Sequence, residues 1–157
     1  MSTLRVDSIQ DTAGTDNQGK ILQVVNNTVV VSQFVSSATS FTNTGFSVSI
    51  TPKFASSKIK IDISALVLAS AHYVYLDIYR DATTSLSGDA ANGFSSAVVY
   101  TTTYWQLPSF FVFDSPNTTS AVTYNLFAKT VSGSIYVGNT TTAFPNSVYL
   151  SATEIAQ

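Results

Sequence analysis

The sequence predicts an all-β protein, an antiparallel β-sandwich of the jelly-roll kind with an extended N-terminal arm. Ser and Thr account for 44 of the 157 residues, whereas Glu occurs once. Thr is a good strand former, and helix surfaces usually carry Glu, Lys, Gln and Arg, which are scarce here. Short apolar-polar alternations bounded by turn residues recur along the chain, and no segment shows a helical period.

Residues 1–20 are predicted to form an arm and linker that precede a sandwich domain at 21–157. Leu4, Val6 and Ile9 loosely alternate with polar residues, and a polar stretch with two glycines follows them. A lone strand leaves its backbone groups unpaired, so this segment must pair with another strand. Its three apolar side chains would fill pockets on a neighbouring subunit or particle protein, or the arm would pack on its own sandwich.

The first predicted strands are separated by turn residues. The segments "KILQVV" and "TVVVSQFV" are rich in β-branched residues and have Asn26 and Asn27 between them, which predicts a turn. In "GFSVSITP" apolar residues alternate with serines until a proline ends the strand, and in "KIKIDISALVLA" every second residue is apolar. This alternation is typical of half-buried strands.

The second half of the chain continues in the same way. The strand "YVYLDIYR" alternates aliphatic residues with Tyr and Asp, and a long connection at 81–103 follows, with a short strand at 96–100. The strand "SFFVFD" stops at the turn "DSPN", and "AVTYNLFAKT", "SIYVG" and "SVYLSATEIA" come after it. Nine or ten short strands at this spacing predict a sandwich.

Several strands are apolar on both faces, although a two-sheet sandwich buries only one face of each sheet. The second face of "KIKIDISALVLA" ends in Leu66 and Leu68, and that of "YVYLDIYR" carries Tyr73, Tyr75 and Tyr79. The strand "SFFVFD" is apolar on both sides. These rows predict an obligate homo-oligomer with the five named residues at its interface. The alternative is that the 81–103 connection folds over the face.

Residues able to carry catalysis or bind a metal are few, with one His and no Cys. His72 has no partner at zinc-site spacing and is interpreted as a turn residue. Asp62 and Asp77 lie on two strands that we expect to be adjacent, where paired carboxylates could act on glycosides, but nearby basic residues favour ion pairing. Asp81 and Asp89 lack the spacing of a calcium loop. We expect no enzymatic activity, no catalytic residue, no metal and no cofactor.

The distribution of charged and apolar residues argues against nucleic acid and membranes as partners. The formal net charge is -2, and the seven Lys and Arg residues are scattered singly rather than gathered on a basic face. No apolar run approaches the ~20 residues of a membrane-spanning helix. The start of the chain lacks the charged and apolar regions of a secretory signal.

One loop has the composition of a binding surface. The segment "YTTTYWQLP" holds Tyr100, Tyr104 and Trp105, the only Trp of the chain. Exposed aromatic rings stack on sugars and often anchor protein interfaces, so we interpret these residues as a candidate binding loop. The alternative is that Trp105 closes one end of the sandwich.

The opening "MSTLRVDSIQDTAGT" resembles the start of many small structural proteins of tailed bacteriophages, especially those of marine bacteria and cyanobacteria. The similarity continues in "GKILQVV", "FTNTGFSVSITPKFASSKIKI", "DSPNTTSAVTYNLFAKT" and "LSATEIAQ". It implies a non-enzymatic virion protein, tail-fibre-like or head-decorating and often trimeric. The chain departs from the fibre pattern because it has no repetitive shaft.

This resemblance leads to two hypotheses about function. The first is a homotrimer that decorates or cements a phage capsid, with capsid or tail proteins as its partners and the particle surface as its location. The second is a tail-fibre module that recognises a host surface glycan or protein through loops such as 81–105. Copy number per particle distinguishes the two.

Overall fold

The computed structural model describes residues 19–29, 32–70, 73–89, 91–94, 99–100, 104–139 and 148–157. These residues form twelve strands: β1 (Ile21–Val29), β2 (Ser32–Ser36), β3 (Thr42–Ile50), β4 (Lys58–Ala65), β5 (Val67–Ala69), β6 (Tyr73–Arg80), β7 (Thr84–Ser85), β8 (Val99–Tyr100), β9 (Ser109–Asp114), β10 (Val122–Lys129), β11 (Ile135–Asn139) and β12 (Val148–Ile155). Among the described residues, no helix is long and apolar enough to cross a membrane.

The strands pair antiparallel in two layers. In the first sheet the order is β1-β12-β4-β9. A second ladder, β2-β11-β5, extends this sheet along the direction of its strands. This ladder continues the first sheet because Leu66 alone separates β4 from β5, and its carbonyl accepts a hydrogen bond from the amide of Gly138 at 2.8 Å. The second sheet has the order β3-β10-β6-β7, and β8 pairs with the beginning of β6.

The connectivity is that of a jelly roll. When β1 and β2, β4 and β5, β7 and β8, and β11 and β12 are each counted as one strand, eight strands remain. Their orders in the two sheets are 1-8-3-6 and 2-7-4-5. Every connection except that between the fourth and fifth strands thus crosses between the sheets, as in the double Greek key of jelly rolls. The predicted all-β antiparallel sandwich is confirmed.

One local prediction needs correction, and another is described only in part. Asn26 and Asn27 do not form a turn, since β1 runs through them and they pair with Ser151 and Leu150. Their side chains are satisfied within the sandwich: Asn27 donates to the carbonyl of Ser47, and Asn26 accepts from Tyr149. The strand expected at 96–100 lies partly outside the described residues, and its described part is β8.

The core lies between the two sheets and is built from the inward row of each strand. On β4 the isoleucines at 59, 61 and 63 are buried, and β10 contributes Tyr124 and Leu126. Burying an aliphatic side chain of this size stabilises the fold by about 1.5–3 kcal/mol. The alternation predicted from the sequence therefore sets which face of each strand turns inward.

Candidate interaction surface

The strand β9 forms an edge of the first sheet, with β4 as its one partner strand among the described residues. The amide of Ala65 donates to the carbonyl of Pro108, which places that pair in the hydrogen-bonding register. Hydrogen-bonded pairs alternate along an antiparallel ladder. The backbone groups of Ser109, Phe111 and Phe113 therefore point away from β4. We call these three residues the β9 edge.

Two of the three side chains of the β9 edge are apolar and exposed. Phe111 is 58% exposed and Phe113 is 50% exposed, and their rings meet edge to face with centroids 5.8 Å apart. Lys60 Nζ lies 5.0 Å from the centre of the Phe111 ring and forms an ion pair with Asp62 at 2.6 Å. Natural sheets usually protect exposed edges with charge, proline or a covering segment. The β9 edge has the character of an interface.

The segment that leads into β9 enlarges the apolar surface. Tyr104 is 74% exposed and Leu107 is 58% exposed, whereas Trp105 is half-buried. Gln106 exchanges backbone hydrogen bonds with Val67 at 2.8 and 2.9 Å, which fixes this segment to the first sheet. Two of the predicted loop residues, Tyr104 and Trp105, thus adjoin the β9 edge in sequence.

The backbone of the third loop residue, Tyr100, pairs with that of Tyr73 in the ladder of β8 and β6, in the second sheet. Its side chain lies outside the part of the chain that the structure describes. The predicted loop cluster of Tyr100, Tyr104 and Trp105 is therefore placed only in part.

A shallow open groove of about 320 Å³ runs beside the β9 edge. Its walls are formed by β4, β9 and β12, and its lining residues are Asp62, Ile63, Ser64, Ser109, Phe110, Phe111 and Tyr149. The hydroxyl of Ser109 donates to that of Ser64 at 3.0 Å. Aromatic rings beside a carboxylate and hydroxyls can bind an apolar side chain or a sugar ring equally well.

The five residues predicted at the oligomer interface lie on two different sheets. Leu66 and Leu68 belong to the outer face of the first sheet, where Leu68 pairs with Tyr136. The tyrosines at 73, 75 and 79 lie on β6 in the second sheet. The structure does not bring the two groups together, so the interface hypothesis divides into two separate surfaces.

Part of the tyrosine surface is covered by the connection that follows β6. The amide of Phe94 donates to the carbonyl of Leu76 at 3.1 Å, and Lys129 donates to the carbonyl of Ala91. On the same strand as the covered residues, Tyr79 stacks on Phe127, with ring centroids 4.1 Å apart. Burial, and then the charge of Asp77, raise the pKa of Tyr79. Tyr73, at the beginning of β6, is 40% exposed.

The two aspartates considered as a carboxylate pair are not adjacent, which corrects that expectation. Asp62 lies on β4 in the first sheet and Asp77 on β6 in the second, because the connection between these two strands crosses from one sheet to the other. Asp77 is buried and accepts hydrogen bonds from Ser85 at 2.6 Å and Ser87 at 2.9 Å. Both carboxylates have structural partners.

The aspartates of the 81–94 connection organise turns. Asp81 accepts a hydrogen bond from the amide of Thr123 at 2.9 Å. Asp89 accepts from the side chain of Asn92 and from the amides of Ala91 and Asn92, and these bonds lower its pKa. Within the described ranges, no group of three or more His, Cys, Asp or Glu residues could hold a metal ion.

The single glutamate is buried and links β12, β1 and the turn at 51–57, at the end of the first sheet where β1 begins. Glu154 of β12 accepts hydrogen bonds from the Ser57 hydroxyl, the Gln23 amide and the backbone amides of Lys53 and Phe54, at 2.6 to 3.3 Å. Burial alone would raise the pKa of Glu154, but these four donors lower it. The carboxylate holds the turn at 51–57 against β1, next to the root of the N-terminal arm.

Some predicted residues cannot be placed. Leu4, Val6 and Ile9 of the arm, and His72, lie outside the described residues. Conversely, Phe111 and Phe113 were not among the predicted site residues, although "SFFVFD" is apolar on both faces. The apolar residues on both faces of this strand could be read from the sequence, but the position of β9 at the edge of a sheet could not.

The strand order defines the class of fold as a jelly roll, an architecture of viral capsid, lectin and cupin domains. Comparison with protein families and with curated proteins finds no match. Among solved structures, the chain is similar to a mutant VP2 protein of infectious bursal disease virus in derived T=1 particles. The TM-score is 0.44 at 17% identity, over 99% of this chain and 40% of that chain.

A second similar structure is the VP2 subviral particle of infectious bursal disease virus. Here the TM-score is 0.42 at 19% identity, over 100% of this chain and 43% of that chain. The chain therefore spans about two fifths of the VP2 chains with which it aligns. At these identities the likeness concerns the fold.

Proposed function

We propose that the protein is a non-enzymatic structural component of a virus particle, where copies of the chain associate with each other and with the capsid. The observation that carries the proposal is the β9 edge, which no other described strand covers and on which Phe111 and Phe113 are exposed. Exposed apolar strand edges mark sites of protein association. A chain without cysteine also depends on packing and association for its stability.

The finer form of the proposal is a phage protein that decorates or cements the capsid as a homotrimer. Its support is the similarity of the opening "MSTLRVDSIQDTAGT" to phage structural proteins, together with the absence of a repetitive shaft from the sequence. The arm residues Leu4, Val6 and Ile9 dock on a neighbouring chain. The two outer surfaces, one with Leu66 and Leu68 and the other with the tyrosines of β6, contact further copies or capsid proteins.

A second candidate is a receptor-binding module of a tail fibre. The observation that favours it is Tyr104, which is 74% exposed and precedes in sequence the strand that lines the groove of the first sheet. Aromatic rings with neighbouring carboxylate and hydroxyl groups are suited to a host glycan. On this alternative the protein recognises a host surface and does not reinforce a shell.

Imaging of intact particles separates the two functions. A capsid decoration is expected at scores to hundreds of copies spread over the shell, whereas a tail module is expected at roughly a few dozen copies or fewer at one vertex, by the symmetry of the two locations. Absence of the protein from purified particles contradicts both.

The oligomeric state of the purified protein tests the carrying observation directly. Phe111→Asp places a charge on the β9 edge and is expected to dissociate the oligomer, as measured by sedimentation. The matched control is Val131→Asp, at a residue that is also exposed, in the turn after β10. Equal behaviour of the two variants contradicts a role for the β9 edge in assembly.

A further inference from the structure

We propose that the β9 edge accepts residues 3–9 of a second copy of this chain, which add to the first sheet as a further strand. The proposal rests on the proposed function in one respect, namely that the chain associates with itself. It names the two surfaces that meet in this association: the N-terminal arm of one copy and the β9 edge of the next.

Within the described ranges no strand pairs with the outer side of the acceptor, and β9 itself lacks the usual edge protection. The backbone groups of Ser109, Phe111 and Phe113 point away from β4. The strand contains no proline or lysine, and its one charged residue, Asp114, has its carboxylate held by Arg80 and Tyr124. Strand addition is the interaction that such an edge supports.

The donor matches the acceptor in length and pattern. Residues 3–9 read "TLRVDSI", so Leu4 and Val6 fall on one face of an extended strand and Arg5 and Asp7 on the other. When Leu4 and Val6 share the outer face with Phe111 and Phe113, apolar cross-strand pairs form. Arg5 and Asp7 then point inward at the new edge, and inward-pointing charges stop further strand addition.

The positions of donor and acceptor favour a neighbouring copy. The arm leaves the described fold at Gly19, whose amide donates to the carbonyl of Ala156 at 2.9 Å. This places its root at β1, which is the opposite edge of the sheet from β9. A donor on one flank and an acceptor on the other produce a head-to-tail contact, the kind that forms a ring of copies when the rotation between neighbours closes.

The tether also has sufficient reach. Residues 10–18 span at most about 30 Å when extended. From β1 to β9 the sheet is about 14 Å wide, so length alone also permits docking on the chain's own edge. However, the turn at 51–57 lies at the same end of the sheet as the root of the arm. Its Lys53 donates a hydrogen bond to the carbonyl of Leu22 in β1, and the turn leads directly into β4. It therefore occupies the end of the sheet across which an arm of the same copy would pass.

Engineered cysteines test the proposal without background, since the chain has none of its own. A Val6→Cys chain is mixed with a Phe113→Cys chain and oxidised. The expected product is a disulfide-linked pair of the two variants, formed at least about ten-fold faster than with a Val131→Cys acceptor because docking raises the local thiol concentration. Equal rates with the two acceptors overturn the proposal.

A chain that carries both Val6→Cys and Phe113→Cys separates a neighbour's arm from the chain's own. Docking between copies gives a ladder of covalent oligomers on a denaturing gel, whereas an internally linked monomer overturns the proposal. Sedimentation of the unmodified protein runs alongside. An oligomer without selective cross-linking overturns only the arm assignment, whereas a monomer that is absent from particles overturns the proposed function as well.

Discussion

The phenol of Tyr124 donates a hydrogen bond to Asp114 Oδ2 at 2.9 Å and so joins the two sheets. Asp114 ends β9 in the first sheet, and Tyr124 lies on β10 in the second. Arg80 of β6 donates to both oxygens of the same carboxylate at 3.0 Å. An edge strand is held by one neighbour alone, so this inter-sheet contact keeps the end of β9 in place. The candidate interaction surface depends on that anchorage.

We expect Tyr124→Phe to lower the free energy of unfolding by about 1.5 kcal/mol at pH 7, the lower range for a hydrogen bond to a charged group, because Arg80 still pairs with Asp114. The measurement is urea denaturation. The control is Tyr149→Phe, whose phenol donates to Asn26 at an exposed site and is expected to cost less than about 0.5 kcal/mol. Equal losses in the two variants contradict the prediction.

The same tyrosine predicts a loss of stability at alkaline pH. Burial, and then the charge of Asp114, raise the pKa of Tyr124 above its ordinary value of 10.0. A raised folded-state pKa means that the contribution of the neutral phenol is complete below pH 10 and is lost as the pH rises beyond it. Stability measured between pH 9 and about pH 11 should therefore fall more steeply in the wild type than in Tyr124→Phe. Parallel curves contradict this assignment.

Glu154→Gln is expected to destabilise the protein by about 2–3 kcal/mol at neutral pH, because a neutral amide replaces a buried carboxylate with four donors. The lowered pKa means that this contribution is present above the ordinary carboxyl pKa of 4.5 and is lost as the pH falls below it. The wild type should thus approach the variant in stability at acid pH. Asp62→Asn, in a partly exposed ion pair, is the control and should cost less than about 1 kcal/mol.

Gly93→Ala is expected to loosen the connection that covers the tyrosine surface. The residue has a φ of 63°, and an added Cβ would lie 2.5 Å from the carbonyl oxygen of Leu76 and 2.7 Å from the ring of Phe41. We expect a loss of about 1–3 kcal/mol and faster proteolysis within residues 81–94. Gly88→Ala is the matched control, since its φ is 70° but no atom lies within 4 Å of the added carbon. Similar losses in both variants would contradict the predicted steric clash at Gly93, because they would show that the positive φ alone causes the loss of stability.

The two aromatic residues before β9 should separate binding from stability. Tyr104 is strongly exposed, so Tyr104→Ala is expected to change stability by less than about 0.5 kcal/mol while weakening attachment to particles or host cells. Trp105 is half-buried, so Trp105→Ala should lower stability as well. Thermal unfolding and a pull-down with particles measure the two effects. Undiminished attachment of a folded Tyr104→Ala variant contradicts a binding role for this loop.

Much of the fold could be predicted from the local pattern, since alternation shows which side chains turn inward. The rows of β3, β4 and β6 were predicted in this way, and so was the ion-pair role of Asp62. The turn predicted at Asn26 and Asn27 was wrong because propensity is weaker than strand pairing. Asn27 bonds to β3 in the other sheet, and Asn26 bonds to Tyr149 on the neighbouring strand β12. Propensity describes a residue and its neighbours along the chain, and pairing involves residues more than a hundred positions away.

The sequence by itself determined that this chain is all-β, that its strands alternate inward and outward residues, and that some outer rows are apolar. Only the tertiary structure decided which of those rows stay exposed. The connection after β6 covers part of the tyrosines, whereas Phe111 and Phe113 remain in the open because the jelly-roll order places β9 at an edge. The physical reason is that a period of two assigns a side chain to a face of its strand, but long-range pairing assigns the strand its place in the sheet.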